Sequence, residues 1–354
     1  MAAPSRNTYV DILKGLLIFS VVINHSALAL KAGEHLSIGP YSFLPYFCPF
    51  DMPLFMAIAG YFFYFSCCKR TWQEILVNRF SMILIPCVVW NWLVQLTRVA
   101  MDHHCSTLGW LPGGIWFLWS LLGCCALTVL LHNVLGSKGW IGALVLVGAS
   151  FFIGKDNNNI GYMFPFFYMG YLTSRWELLK YFRWWQGALA LVILAGLYAL
   201  LGTPFTKGWS IWISHTYLFG PMGLQRHAEL YLYRMGLGFF GCIGFAWFVS
   251  VLCCCCRRLP ELCSPCRAVY RALLALGEYS LAVYCIQSLL VETILKQAML
   301  SLISHLGYNP LTEHPGLFFS LILPGTTILF LLLCLGVHRV LSRRETVSRL
   351  LFGK

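Results

Sequence analysis

Two ionisable side chains near the N-terminus have a spacing that suits catalysis. Lys14 and His25 are eleven residues apart, which is about three helical turns, so they share one stripe about 16 Å apart along the axis. Asp11 falls near the same stripe. One face of this helix would thus carry a cation near the cytoplasmic end of the helix and an imidazole about three turns deeper, toward the outer side. Two simpler explanations stay open: Lys14 extends its ammonium to the membrane surface, and His25 is a satisfied core residue.

An acidic residue begins a second apolar run. Residues 50–61 read Phe-Asp-Met-Pro-Leu-Phe-Met-Ala-Ile-Ala-Gly-Tyr, with a proline that relaxes a helix and an Ala-Gly pair that permits close helix approach. Asp51 is expected at about the depth of His25. We therefore predict that Asp51 orients and protonates the imidazole, as in a base–orienter pair, with Asn24 as the alternative group. The competing interpretation makes Asp51 a helix N-cap.

Ionisable residues inside apolar runs are functional hypotheses, because an isolated charge in the bilayer costs at least a few kcal/mol. The candidates are Asp11, Lys14, His25, Asp51, Arg79, Arg234, Glu278 and Glu292.

The composition places these residues in a membrane protein. The 354 residues are 59% apolar and 11% charged, whereas a soluble domain carries about 25% charged residues. Each crossing needs roughly 20 apolar residues, so ten helices leave about 150 residues for all connections and no separate soluble domain fits. The sequence predicts an all-α, polytopic helical bundle with about ten transmembrane helices and a single domain over residues 1–354. The helices are predicted at about 12–30, 49–67, 80–100, 114–135, 139–154, 160–174, 184–202, 228–252, 270–297 and 317–340.

The formal net charge of +12 is explained by the predicted membrane topology. Most Lys and Arg residues fall on one side of the predicted helices, together with both chain ends, so the positive-inside rule predicts that both termini are cytoplasmic. This arrangement indicates contact with anionic lipid and argues against a nucleic-acid partner.

Cysteine is frequent, with 16 residues. Most lie within apolar runs, where a thiol behaves as a small apolar group. The run Cys253 to Cys256 with Cys263 and Cys266 has spacings that could bind zinc, but four contiguous cysteines at a helix end favour an apolar membrane-edge role over metal binding, acylation or redox chemistry. No metal site is predicted.

Several motifs, taken in order, resemble the acyltransferase 3 family of membrane proteins. The segment from Arg6 to His25 is similar to its first-helix pattern, in which Arg or Lys precedes His by eleven residues. Residues 52–61, 78–86 and 116–118 resemble its second, third and fourth motifs, and residues 164–171 and 277–284 resemble later landmarks, nearest to the fucose 4-O-acetylase-like branch. Relatives often carry His where this chain has Asp51 and Gln287, and Ser where it has Ala59.

The resemblance implies an integral membrane O-acyltransferase. It would move an acyl group, usually acetyl, from cytoplasmic acyl-CoA to a hydroxyl of a cell-surface carbohydrate, in a bacterial inner membrane and without a permanently bound cofactor. Lys14, Arg70 and Arg79 would bind the polyanionic coenzyme at the cytoplasmic rim, with Trp116 of the fourth motif.

Under this hypothesis His25 is the general base on the sugar hydroxyl. Arg234 stabilises the oxyanion or binds the acceptor, unless it pairs with Glu229 or another acid. Glu278 would neutralise Lys14. A relay through an acylated His25 stays open, as does a polytopic transporter of a small polar or anionic solute. The outer loops at about 203–227 and 299–316 are predicted to select the acceptor. They contain His215, His227, His305 and His314, which are expected to be solvated loop residues rather than ligands.

Overall fold

The protein is helical throughout the residues that the computed structural model describes. These residues are 7–30, 44–101, 115–152, 159–202, 223–255, 264–306 and 314–353. Within them every regular element is a helix and none is a strand, which confirms the predicted all-α class. Most of the predicted acceptor loop at 203–227, including His215, lies outside the described residues.

The described residues form a series of helices. In chain order they are α1 (Thr8–Leu30), α2 (Leu44–Phe47), α3 (Asp51–Lys69), α4 (Trp72–Met101), α5 (Trp116–Leu135), α6 (Gly139–Phe152), α7 (Ile160–Arg175), α8 (Trp184–Leu201), α9 (Gly223–Cys255), α10 (Ser264–Glu278), α11 (Ser280–Leu289), α12 (Lys296–Leu306), α13 (Pro315–Leu317), α14 (Leu323–Leu341) and α15 (Glu345–Phe352). Two π-helical turns, Leu290–Leu295 and Phe318–Ile322, join α11 to α12 and α13 to α14.

The chain is a multi-pass membrane protein. Seven helical segments in the described ranges are long and apolar enough to cross a membrane, and α10 with α11, bent by 80° at a short break, makes up to eight. A helix occupies each of the ten predicted ranges, but the count of about ten crossings and the cytoplasmic placement of both termini stay predictions.

The difference between the ten predicted crossings and the seven or eight candidate crossings arises at α5, α6 and α7. The apolar stretch Trp116–Phe151 has 36 residues, yet a Cβ on Gly142 would touch the side chain of Leu131, which a straight helix would place about 16 Å away. The chain therefore turns back between α5 and α6, where Gly136 has a φ of 51°. Helices α6 and α7 have 14 and 16 residues, short of the roughly 20 that a crossing needs.

Glycines let two helix pairs approach closely. Between α3 and α7, a Cβ on Gly60 would overlap the Phe167 carbonyl, and one on Gly170 would overlap the Ala57 carbonyl. This is the small-residue packing that the Ala-Gly pair of α3 predicted, and it is typical of membrane helices because backbone proximity replaces the hydrophobic effect there.

Helices α1 and α10 form the second close pair. A Cβ on Gly15 would overlap the Leu273 carbonyl, and one on Gly277 would overlap the Asp11 carbonyl. The pair fixes the first half of α1 against α10. Because α11 and its π-helical turn follow α10 directly, the same contact sets which residues of that turn can reach the second half of α1.

Candidate active site

His25 of α1 faces a carboxylate from the π-helical turn after α11. Its Nδ1 lies 3.3 Å from Oε1 of Glu292, and the two side chains are 19% and 23% exposed. Both groups are therefore largely shielded but still reachable. When Nδ1 carries the proton and donates it to Glu292, the lone pair of Nε2 is available, which is the tautomer that a general base needs.

Two neighbours fix Glu292. Its Oε1 accepts hydrogen bonds from Gln287 Nε2 at 3.0 Å and from Ser288 Oγ at 3.1 Å, and both donor residues are buried. A carboxylate with several donors stays in one orientation, as outer partners do for a catalytic histidine. Gln287 and Ser288 thus position Glu292, and Glu292 positions His25.

The π-helical turn explains why Glu292 reaches this place. In Leu290–Leu295 the backbone hydrogen bonds span five residues instead of the four of an α-helix, and such π-helical turns frequently mark functional sites. Thr293 Oγ1 donates to the Ser288 carbonyl at 3.2 Å, so a side chain satisfies part of the disturbed backbone. The sequence identified Glu292 as an intramembrane acid but gave it no role, because periodicity alone does not reveal a π-helical turn.

The carboxylate beside the His25 ring is that of Glu292, whereas Asp51 has other partners. Asp51 is buried and accepts hydrogen bonds from Ser20 Oγ at 3.2 Å, Asn24 Nδ2 at 3.5 Å and the Met52 amide at 2.6 Å. Asp51 and Asn24 thus contact each other, and the orienting role predicted for them stays a prediction. Consecutive residues of a helix point about 100° apart, so Asn24 faces α3 while His25 faces the turn that carries Glu292.

Arg234 of α9 belongs to the same buried cluster as Asp51. Its guanidinium lies 5.7 Å from the centre of the Tyr162 ring and is close enough to the Asp51 carboxylate to interact electrostatically. Glu229, the partner considered from sequence, instead accepts a hydrogen bond from Gln225 at 3.0 Å. We call Ser20, Asn24, Asp51, Tyr162 and Arg234 the buried polar cluster, after its buried members Asp51, Tyr162 and Arg234; it lies on the face of α1 adjacent to that of His25.

Lys14 lies about three turns from His25, as the spacing predicts. Its Nζ is 3.1 Å from Oδ1 of Asp11, one turn away on the same helix, and the lysine side chain is partly exposed. Asp11 itself is buried. Lys14 thus has an acidic neighbour at the helix rim, whereas the predicted pairing with Glu278 stays a prediction.

Arg70 and Arg79 lie where α3 ends and α4 begins. Arg79 donates from Nη2 to Ser66 Oγ at 2.6 Å. Arg70 lines a cavity of about 240 Å³ together with Thr71, His132 and Asn133. We call this the rim cavity. It combines a guanidinium, an imidazole, a hydroxyl and an amide, which are groups that bind phosphate.

The sequence did not single out the α5 side of the rim cavity. His132 Nδ1 is 2.7 Å from the Tyr171 hydroxyl, and the Arg175 guanidinium lies near enough to both to act on them electrostatically. Arg175 also donates to the Gly136 carbonyl at 3.2 Å and 3.3 Å. These groups come from α5 and α7, so only the helix packing brings them beside Arg70.

Trp116 does not join the rim cations. It begins α5, and His132, at the rim cavity, is sixteen residues further along the same helix, which is about 24 Å. Trp116 packs against Phe117, whose amide donates to the Tyr284 hydroxyl at 3.3 Å. The predicted coenzyme-binding residues therefore divide into a rim group and a distant aromatic residue, because α5 separates them along its length.

Part of the predicted cysteine cluster and His227 of the predicted acceptor region lie within the described residues. No group of three metal-binding side chains occurs in the described ranges, and Cys256 and Cys263 fall outside those ranges. His227 of the predicted acceptor region is buried, with its Nε2 2.9 Å from the Phe151 carbonyl, which is the contact of a structural histidine.

Comparison with known proteins decides the family. A family model described as an acyltransferase domain matches residues 7–337. The chain belongs to this acyltransferase 3 family. The resemblance drawn from the motifs is thereby confirmed, while the fucose 4-O-acetylase-like branch stays a prediction.

Two curated relatives have the name nodulation protein NolL. The one from Sinorhizobium fredii is 29% identical over 185 residues, covering 49% of this chain and 50% of the relative. The one from Mesorhizobium japonicum is 24% identical over 217 residues, covering 56% of this chain and 57% of the relative. The chain thus spans about half the length of the curated relatives it matches. No solved structure matches it.

Proposed function

We propose that this acyltransferase-family protein is an integral membrane O-acetyltransferase. It transfers an acetyl group from cytoplasmic acetyl-CoA to a hydroxyl of a cell-surface carbohydrate, in the inner membrane of a bacterium. The observation that carries the proposal is the pair formed by His25 and Glu292, within a chain whose family match spans residues 7–337. No observation on the described residues favours the competing transporter hypothesis.

The chemistry assigned to His25 is general base catalysis. Nε2 removes the proton from the acceptor hydroxyl as the oxygen attacks the thioester carbonyl. The tetrahedral intermediate then expels the CoA thiolate, which takes the proton from the imidazolium. Glu292 keeps Nδ1–H in place and stabilises the imidazolium while it exists, as the carboxylate of a catalytic triad does.

The donor would approach from the rim cavity. Phosphate groups of the coenzyme fit the Arg70 guanidinium and the polar groups of His132 and Asn133, and Arg79 and Lys14 add positive charge near this end. The pantetheine arm is long and thin, so it can extend along the bundle towards His25, about 16 Å beyond Lys14. Trp116 is then a candidate for contact with the arm rather than with the phosphates.

The acceptor would meet the buried polar cluster. Arg234 lies on α9 beside Asp51, and Ser20 and Asn24 connect this cluster to α1 within two turns of His25. A guanidinium in such an enclosed site can donate hydrogen bonds to sugar hydroxyls or to the developing oxyanion. Asp51 balances its charge, which makes burial of Arg234 tolerable.

The relay route differs from direct transfer in one intermediate. In that route Nε2 attacks the thioester, CoA leaves, and the acetyl-imidazole then transfers its acetyl group to the sugar. Incubation of purified protein with acetyl-CoA alone separates the two. Direct transfer predicts that CoA release requires an acceptor; trapping of acetylated His25 without an acceptor would establish the relay.

A reconstituted assay tests the proposed function. Protein in liposomes receives acetyl-CoA on one side and a panel of oligosaccharides on the other, and acetylated sugar is measured by mass spectrometry. The proposal predicts an O-acetylated product that forms only with both substrates. Movement of either substrate across the bilayer without acetylation would instead support a transporter and contradict the proposal.

A further inference from the structure

A large apolar cavity lies away from the candidate active site. It has a volume of about 810 Å³, is lined by the first half of α1, the end of α9 and the first half of α10, and is partly open to the surface, where Val269 is 61% exposed. Tyr9 and Leu16 contribute from α1, Leu252 from α9, and Val269, Tyr270 and Leu273 from α10. Neither the acetyl transfer nor the donor path described above uses it.

The three helix ends are held together on one side of the bundle. The Tyr9 hydroxyl donates to the Ala246 carbonyl of α9 at 2.7 Å, and Gly15 of α1 packs directly on Leu273 of α10. These are the ends that carry Lys14 and the arginines of α10, so the positive-inside rule places the cavity near the cytoplasmic face of the membrane.

Two exposed arginines on α10 are adjacent in sequence to residues that line the cavity. Arg267 and Arg271 are four residues apart on α10, so they are neighbours on one face, and both are exposed. They immediately follow Cys266 and Tyr270, which line the cavity. An apolar space with a pair of cations at its edge, at the cytoplasmic boundary of a bilayer, matches an anionic lipid: the chain fits the space and the phosphate meets the cations.

We propose that this cavity holds an acyl chain of an anionic phospholipid of the cytoplasmic leaflet, with its phosphate against Arg267 and Arg271. A bound chain would fill the space beside the contact of α1 with α10. Since α1 carries His25 and α10 leads to the turn that carries Glu292, the lipid would stabilise the helix pair on which the candidate site is built. The binding site itself does not depend on the proposed acetyl transfer.

The test uses full-length protein freed of lipid and then titrated in detergent with phosphatidylglycerol or phosphatidylcholine, with binding measured by native mass spectrometry. Phosphatidylglycerol should bind more tightly. Replacement of both arginines, R267Q/R271Q, should weaken it by about fivefold for each arginine. The matched control R343Q/R344Q, at another exposed pair, should bind like the unaltered protein.

A second variant tests the cavity. Val269→Trp should obstruct the cavity and lower the affinity for phosphatidylglycerol, while Val269→Ala and Val192→Trp, the latter on an exposed face of α8, should leave that affinity unchanged. Equal affinity for both lipids, no effect of R267Q/R271Q, or full binding by Val269→Trp would each overturn the proposal. Thermal unfolding of every variant verifies that loss of binding is not loss of fold.

Discussion

At the scale of single residues, the candidate site depends on which acid faces His25. The imidazole is 3.3 Å from Glu292, whereas Asp51 is held by Ser20, Asn24 and its own helix terminus. A carboxylate on Nδ1 both selects the tautomer and stabilises the imidazolium. Under the proposed mechanism, Glu292 takes the role that the sequence predicted for Asp51, and Asp51 acts with Arg234.

Replacement of Glu292 tests this division of roles. Glu292→Gln keeps the shape but removes the negative charge, so acetyl transfer should show a kcat lower by about 10²- to 10⁴-fold with little change in KM for acetyl-CoA. Asp51→Asn should affect the KM for the acceptor more than kcat. Similar kcat losses in both variants would show that the two acids are not separated in function.

Replacement of Arg70 tests whether the rim cavity binds acetyl-CoA. Hydrogen bonds to charged groups contribute about 1.5–3 kcal/mol, so Arg70→Gln should raise the KM for acetyl-CoA by about 10- to 150-fold and leave kcat nearly unchanged. Arg98→Gln, near the opposite end of α4, is the matched control and should behave as the unaltered protein. An unchanged KM in Arg70→Gln would remove the rim cavity from the donor site.

At the scale of elements, two close helix pairs and one π-helical turn create the site. The sequence predicted that another helix approaches α3 closely at Ala59 and Gly60, because small residues in a membrane helix let two backbones come close together. It did not predict the partner, α7, nor the pairing of α1 with α10. Pairings of this kind depend on how distant surfaces fit together, which one helix's sequence does not contain.

Gly60→Ala tests the close packing of α3 on α7. The added Cβ would overlap the Phe167 carbonyl, and overpacking of this kind costs about 1–3 kcal/mol, so the variant should unfold at a lower temperature in detergent. Gly196→Ala on α8 is the control, because a Cβ there meets nothing within 4 Å. Equal melting temperatures for both variants would contradict the described packing.

At the scale of the whole molecule, composition and charge were sufficient to predict the class of protein, a helical membrane bundle. A charged fraction of 11% and long apolar runs require a membrane bundle, and a helix lies at each of the ten predicted ranges. The number of crossings was less predictable, since α6 and α7 are apolar yet short. The position of Glu292 beside His25 arises only when the bend after α10 and the π-helical turn are both in place.

Reporter fusions test the ten-crossing topology. With both termini cytoplasmic, a fluorescent protein fused after Lys354 should fluoresce, and alkaline phosphatase fused after Phe152, at the end of α6, should be active outside the membrane. The same phosphatase fused after Arg175, at the end of α7, should be inactive. An active phosphatase after Arg175 would show that α7 does not return the chain to the cytoplasm.

The most direct test of the central claim compares two histidine variants in the reconstituted acetyl-transfer assay. His25→Gln should lower kcat by about 10²- to 10⁴-fold, because the proposed mechanism assigns removal of the hydroxyl proton to Nε2 of His25. His227→Gln, whose imidazole contacts the Phe151 carbonyl, should retain most of the transfer rate. Undiminished transfer by His25→Gln would contradict the account.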